Sequence, residues 1–147
     1  MLRIGFDLDG VLCDVDKALL AWIGRIKDEK TRKIVEMWYY RNRKPLLNPR
    51  LFLHEDDEGV IITGRPERVK EITEKWCKKF YPEFELHVLC LKDWRNMKLQ
   101  SWYEYVAKEK VKKIRELGIN VYFEDNTEVV KFMRKQGVIV IQYGVTI

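Results

Sequence analysis

The chain of 147 residues has few of the residue types that staple small folds together. Its three cysteines, Cys13, Cys77 and Cys90, are odd in number and lack any CxxC spacing. That excludes a disulfide framework and a structural zinc site as expectations, and it fits a reducing compartment such as the cytoplasm. The two histidines, His54 and His87, have no metal-ligand spacing and read as structural. No stretch approaches the ~20 consecutive apolar residues that cross a bilayer, so no membrane partner is expected. The opening, MLRIGFDLDG, has acidic residues where a secretory leader would have its apolar core, so no such leader is expected. Internal repeats and low-complexity tracts are also missing. What is present is 46% hydrophobic and 35% charged residues, the mixture of one compact domain with a charged exterior. The formal charge of +5 favours phosphate-bearing ligands without specifying one.

Short apolar runs alternate with helical periodicity along the chain. Arg3 to Asp7, Val60 to Thr63, Leu86 to Leu91, Val121 to Glu124 and Val138 to Gln142 read as strands. Val15, Ala18, Leu19, Trp22, Ile23 and Ile26 have the spacing of an inward helical stripe, with Asp14 as its N-cap. A second helix starts near Thr31 and carries Ile34, Val35 and Trp38. After Pro66, a helix would turn Val69, Ile72, Thr73, Trp76 and Phe80 inward. Further helices are expected over Ser101 to Leu117, stopped by Gly118, and over Thr127 to Gln136. This alternation predicts an α/β fold: a Rossmann-like three-layer sandwich with a five-stranded parallel sheet. Roughly fifty residues separate the first two strands, where a simple crossover needs about a dozen. The excess predicts a small helical cap inserted after the first strand, residues 14–58, on a core of 1–13 and 59–147.

In open α/β sheets, ligands bind beyond the carboxyl ends of the strands. Those ends here carry Asp7-Leu8-Asp9-Gly10, Thr63-Gly64-Arg65 and Glu124-Asp125-Asn126. A regular strand would project Asp7 and Asp9 to opposite faces, and a tight turn at Gly10 would gather both over the strand end. A carboxylate can attack phosphorus if a cation screens it from the anionic substrate, and a second acid can protonate the leaving oxygen. Asp7 and Asp125 supply the carboxylates that a hard, oxygen-liganded Mg²⁺ uses alongside phosphate oxygens and water.

FDLDGVLCD, IITGRP, an upstream lysine and YFEDN, in this order, resemble the four motifs of the haloacid dehalogenase (HAD) superfamily of phosphatases, over nearly the whole chain. The resemblance implies Asp7 as nucleophile and Asp9 as general acid/base, with the Asp9 backbone carbonyl also on the metal. It implies Thr63, with the following amides from Gly64 onward, as the phosphate cradle. It also implies a lysine that neutralises the nucleophile and phosphate. Lys108, Lys110, Lys112 and Lys113 compete for that role. Lys110 shares the inward stripe of Ala107, Ile114 and Leu117, whereas Lys108 aligns with Lys112 and Arg115 toward solvent, so Lys110 is chosen. In the fourth motif, Asp125 is the expected metal ligand and Glu124 its support. The function implied is a Mg²⁺-dependent phosphomonoester hydrolase working through an aspartyl phosphate. The DxDGVLxD opening and modest cap are similar to the deoxyribonucleotidase branch, making a nucleoside monophosphate, or another small phosphorylated substrate, the expected ligand rather than nucleic acid.

A receiver-type phospho-acceptor domain is the alternative, since it too gathers aspartates, a threonine and a lysine at strand ends. Receivers place the acceptor after the third strand and the lysine after the fifth. Here the acid pair follows the first strand and the lysines precede the fourth. Leu8, Val11 and Leu12 spoil a calcium-loop reading of DLDGVLCD. Arg65 reads as a surface or helix-start residue, and the HEDDEG run as a solvated loop. Trp38, Tyr39, Tyr40, Arg41, Arg43 and Lys44 suit either cap packing, the preferred reading, or contact with a nucleobase and phosphates. Trp94, Trp102 and Tyr103 would cover the sheet edge or fence the cleft.

Overall fold

The computed structural model of the protein describes residues 1–92 and 97–146; Trp94 lies outside them. Five strands form one sheet: β1 (Arg3–Phe6), β2 (Glu58–Thr63), β3 (Glu85–Val88), β4 (Val121–Asn126) and β5 (Val140–Thr146). Their order is β3-β2-β1-β4-β5, with every pair parallel. The helices are α1 (Lys17–Gly24), α2 (Glu29–Arg41), α3 (Lys70–Phe80), α4 (Leu99–Leu117) and α5 (Thr127–Lys135). The expected Rossmann-like three-layer α/β sandwich is therefore the observed fold.

Two apolar clusters divide along the sheet faces, which is why the central strands read as near-continuous apolar runs. Ile4, Phe6, Ile61 and Phe123 meet Trp76 and Cys77 of α3 on one face. Val60, Ile62, Tyr122 and Val140 meet Val111 and Ile114 of α4 and Met133 of α5 on the other. Helix α4 ends as expected: Gly118, at φ 65°, donates its N–H to the Arg115 and Ile114 carbonyls. No helix among the described residues is long and apolar enough to cross a membrane.

The insert between β1 and β2 departs most from the expected pattern. Asp16, not Asp14, caps α1 by accepting from the Leu19 N–H. The Asp14 carboxylate instead accepts from the Lys44 N–H, tying the two ends of the helical pair together. Helix α2 starts at Glu29, ahead of the expected Thr31, because Asp28 accepts from the Thr31 N–H. Of the apolar stripe assigned to the first helix, only Ile23 is buried, and Trp22, Ile34 and Trp38 are exposed. The face of α2 that turns inward carries Glu36 and Tyr39 instead. Two short helices present too little apolar surface to close a core of their own. Polar contacts dock the insert on the sheet domain: Arg68 Nε donates to Glu36 Oε1 of α2 at 2.9 Å, and Trp76 Nε1 donates to the Arg43 carbonyl just after α2 at 2.9 Å. The 3₁₀ turn Pro49–Phe52 rests on the sheet itself, with the Phe52 ring 5.0 Å from that of Phe123.

The edge strands also differ in extent. β3 ends at Val88, short of the expected Leu91, as the chain turns through Cys90 at φ 54°. β5 begins two residues later than expected, after the turn at Gly137. HEDDEG is largely exposed, as expected, although Asp57 accepts from the His54 and Leu2 N–H groups and so anchors the start of the chain.

Phe6 is fully buried and stacks on Phe123 at 4.9 Å directly beneath the strand end that carries Asp7. Phe6→Ala should cost about 3–5 kcal/mol of folding free energy by urea denaturation. A loss below ~1 kcal/mol would show that this aromatic stack does not hold the strand end.

Candidate active site

The site begins where β1 stops. The Asp7 N–H still bonds to the Phe123 carbonyl at 2.9 Å, so its backbone prolongs the pairing with β4. The chain then coils: the Leu8 carbonyl accepts from the N–H groups of Val11, Leu12 and Cys13, forming one helical turn directly on the strand end. Gly10 opens this turn at φ 83°, and a Cβ there would stand 2.1 Å from Asp125 Oδ2. Only glycine fits this contact, which lays the turn against the acid that ends β4.

Lys110 completes the arrangement from the middle of α4. Its buried Nζ donates to Asp7 Oδ1 and to Glu124 Oε2, both at 2.9 Å. Lys108 is exposed on the same helix. Oxygens of Asp7, Glu124 and Asp125 all lie within 4.8 Å of one another. The register Phe6↔Ile61 carries Thr63 and Gly64 to the same end of the sheet. Thr63 is buried there, its Oγ1 accepting from the Arg65 N–H at 3.3 Å. The neighbouring Asn126 is spent on structure, capping α5 through the Val129 N–H.

Asp9 does not join Asp7. Its carboxylate is gripped by Arg65, Nε to Oδ2 at 3.0 Å and Nη2 to Oδ1 at 2.6 Å. Arg65 is thus no surface residue, which corrects the expectation for it. Its side chain is 3% exposed, Nη1 donates to Thr73 Oγ1 at 3.0 Å and Nη2 also reaches Cys13 Sγ at 3.5 Å. The Tyr40 ring lies 4.6 Å from the guanidinium. The rigid fork matches a carboxylate in two places, which allows a guanidinium to be buried. A signal for this existed in the sequence. Thr73 lay on the inward stripe of its helix, and a buried hydroxyl near a strand end needs a polar partner.

Burial drives the Asp7 carboxyl well above the usual carboxylate range, with the charge of Glu124 adding to it and Lys110 opposing. Burial likewise raises Glu124, against the pull of Lys110. At Lys110 burial works against the charge, yet Asp7 and Glu124 together hold the amine well above an ordinary lysine. Three acids face one ammonium, while Asp9 and Arg65 neutralise each other. The cluster therefore holds two more negative than positive charges when fully ionised, and a divalent cation would relieve that excess. Hard oxygen donors at this spacing could hold a metal ion. Lys110 already occupies an oxygen of Glu124, and Asp125 sits against the Gly10 turn.

Other candidates have structural employment. The Arg43 guanidinium stacks 3.8 Å from the centre of the Tyr39 ring, so packing describes Tyr39, Tyr40 and Arg43, while Trp38, Arg41 and Lys44 stay exposed. Trp102 and Tyr103, in the first turns of α4, pack against the core cluster. The Cys13 thiol is pushed up to about 12 by burial and by Asp9, so it remains protonated and unreactive at neutral pH.

No known family profile matches the sequence, and no curated protein matches it. Solved structures do resemble the fold. A HAD-superfamily hydrolase of subfamily IA from Geobacter sulfurreducens matches with a TM-score of 0.58 at 13% identity, covering 100% of this chain and 89% of that one. A chain of the Pnkp1/Rnl/Hen1 RNA repair complex matches with a TM-score of 0.58 at 17% identity, over 98% of this chain. This protein spans only 43% of that longer chain. At such identities the likeness establishes a shared fold, that of HAD-superfamily hydrolases.

A buried acid whose proton affinity is raised by folding weakens the fold as pH rises from the ordinary carboxylate range through its elevated value. Lys110 gives the same direction in a higher window, its stabilising contribution being complete below the usual lysine range and lost as pH rises through its elevated value. Without a cation at neutral pH, Asp7→Asn should therefore raise the melting temperature, by roughly 3 °C. Mg²⁺ should raise the melting temperature of the wild type more than that of the variant. A lower melting point for cation-free Asp7→Asn would show that the cluster is not overloaded with negative charge.

Proposed function

We propose that the protein is a Mg²⁺-dependent phosphomonoester hydrolase that passes the phosphoryl group through Asp7. The observation that carries this reading is the buried Lys110 amine bonded to both Asp7 and Glu124, with Asp125 beside them, at the carboxyl end of a parallel sheet. Asp7 and Asp125 would hold the metal, and Glu124 keeps Lys110 in place. The ion would screen the carboxylate nucleophile from the anionic substrate.

An Asp7 oxygen bonds to phosphorus as the bond to the leaving oxygen breaks, and Asp9 gives that oxygen a proton. Water then attacks the aspartyl phosphate, returning its proton to Asp9 and releasing inorganic phosphate and the Asp7 carboxylate. Thr63 and the amides from Gly64 onward receive the phosphoryl oxygens, and Lys110 offsets their charge. Arg65 stores Asp9 in a bidentate pair that must loosen for proton transfer. Asp9 is 40% exposed on that pair's open side, which leaves it room to turn toward a substrate.

The expected substrate is a small phosphate ester, with a nucleoside monophosphate leading. The insert over residues 14–58 serves as its cap, where exposed Trp38 offers a stacking face beside Arg41 and Lys44. Buried, unpaired Cys13 and Cys77 support residence in a reducing compartment such as the cytoplasm. No observation favours the receiver alternative: the acid pair follows β1 and the lysine precedes β4.

Release of phosphate from p-nitrophenyl phosphate and a nucleotide panel should require Mg²⁺ and stop with EDTA. Asp7→Asn should reduce turnover to background with the fold intact, and substantial activity in it would remove the nucleophile from this scheme. Asp9→Asn should lose roughly 10²–10⁴-fold in turnover and accumulate phosphorylated protein. A fully active Asp9→Asn enzyme would eliminate the acid/base role.

A further inference from the structure

Burying a guanidinium is costly, and a residue that only led from β2 into the next helix could stay in solvent. Arg65 is buried nonetheless, and its contacts run to particular places. Its N–H donates to Thr63 Oγ1 at 3.3 Å, within the segment proposed to receive the phosphoryl group. Nε and Nη2 reach the two oxygens of Asp9 at 3.0 and 2.6 Å. Nη1 donates to Thr73 Oγ1 at 3.0 Å, and that hydroxyl in turn donates to the Val69 carbonyl at 2.7 Å. The ring of Tyr40, from the insert, lies 4.6 Å from the guanidinium. One residue therefore joins the hydroxyl that ends β2 to the second acid of the DxD segment, and it is braced by α3 and α2.

We propose that Arg65 is the positioning residue for Asp9, holding the proton carrier at a fixed place relative to the phosphoryl cradle. The role rests on the phosphatase reading above and extends it. Asp9 serves a leaving oxygen and then an attacking water, and at 40% exposure its carboxylate would sample several rotamers without a partner. Arginine suits this task where lysine does not. Its planar fork makes two contacts, so one holds the carboxylate while the other yields to the proton. The guanidinium is too buried to meet a substrate itself, so its influence passes through Asp9. A misplacement of about 1 Å at a reacting group costs roughly 10²-fold in rate, which sets the size of the effect.

A structural role and a positioning role differ in the step they slow. The p-nitrophenolate of p-nitrophenyl phosphate leaves without a proton, so its first phosphoryl transfer does not call on Asp9. Arg65→Met with wild-type far-UV circular dichroism should therefore release p-nitrophenolate in a first-turnover burst at the wild-type rate. Steady turnover should then fall roughly 10²-fold while phosphorylated protein accumulates, as in Asp9→Asn. On an alkyl phosphate monoester, whose leaving oxygen needs the proton, the burst itself should slow. The Asp9→Asn/Arg65→Met double variant should turn over within about twofold of Asp9→Asn, because groups that act as a unit are not additive. Arg65→Lys should recover only part of the loss, since one ammonium does not grip both oxygens. Thr73→Val, which unseats the guanidinium without touching Asp9, should give the same pattern more weakly and serves if Arg65→Met does not fold.

In an enzyme that still depends on Asp7, three results would each overturn the inference. They are losses that multiply in the double variant, a p-nitrophenolate burst slowed as much as the turnover, and wild-type turnover in Arg65→Lys. A wild type that releases no phosphate would overturn it together with the reading it rests on.

Discussion

A lysine amine in a protein interior is tolerable only with carboxylates on it, and Lys110 has two. The rest of the site follows from this constraint. The middle of α4 must lie over the junction of β1 and β4 so that one amine reaches Asp7 and Glu124 together. Removing both acids would leave the buried ammonium without a partner, the kind of loss that costs about 3–5 kcal/mol in buried ion pairs. The third acid, Asp125, brings the excess negative charge, because the Gly10 turn holds it against the same strand end. Under the proposed function, a cation would complete this group of side chains, which is overcharged by itself. This is the ordinary trade of local stability for function.

A second ion pair keeps the other aspartate of the DxD segment apart. Arg65 holds Asp9 on the side of the site where the insert docks, with Tyr40 over its guanidinium and Thr73 at its far nitrogen. Its neighbour Arg68 bonds to Glu36 of the same helix. The insert thus reaches the chemistry through two arginines of one segment, and a shift of α2 would be felt at Asp9 before Asp7. The network also accounts for an inward α2 face that is polar and aromatic instead of aliphatic.

Much of the fold was legible because it rests on local rules. Buried parallel strands read as apolar runs, Gly118 stops α4 in the left-handed region, and a lysine on an apolar stripe demands an acid. The insert was less legible, because helical periodicity shows only that one face is apolar and not that anything covers it. Trp22, Ile34 and Trp38 keep that periodicity in solvent. Asp14 and Asp16 are equally good caps by type, and the choice between them was made by the Lys44 N–H some thirty residues away.

By itself the amino-acid order determined the sequence of strands and helices, the acids at two strand ends with a threonine at a third, and the inward direction of Lys110, since each depends on neighbours within a few positions. Tertiary structure alone decided that Arg65 is interior and locked to Asp9, that Glu124 is occupied by Lys110, and that one face of β5 is left open. Those outcomes depend on which distant groups compete for the same donor or the same apolar surface. Such competition is settled only when the strands take their places in the sheet.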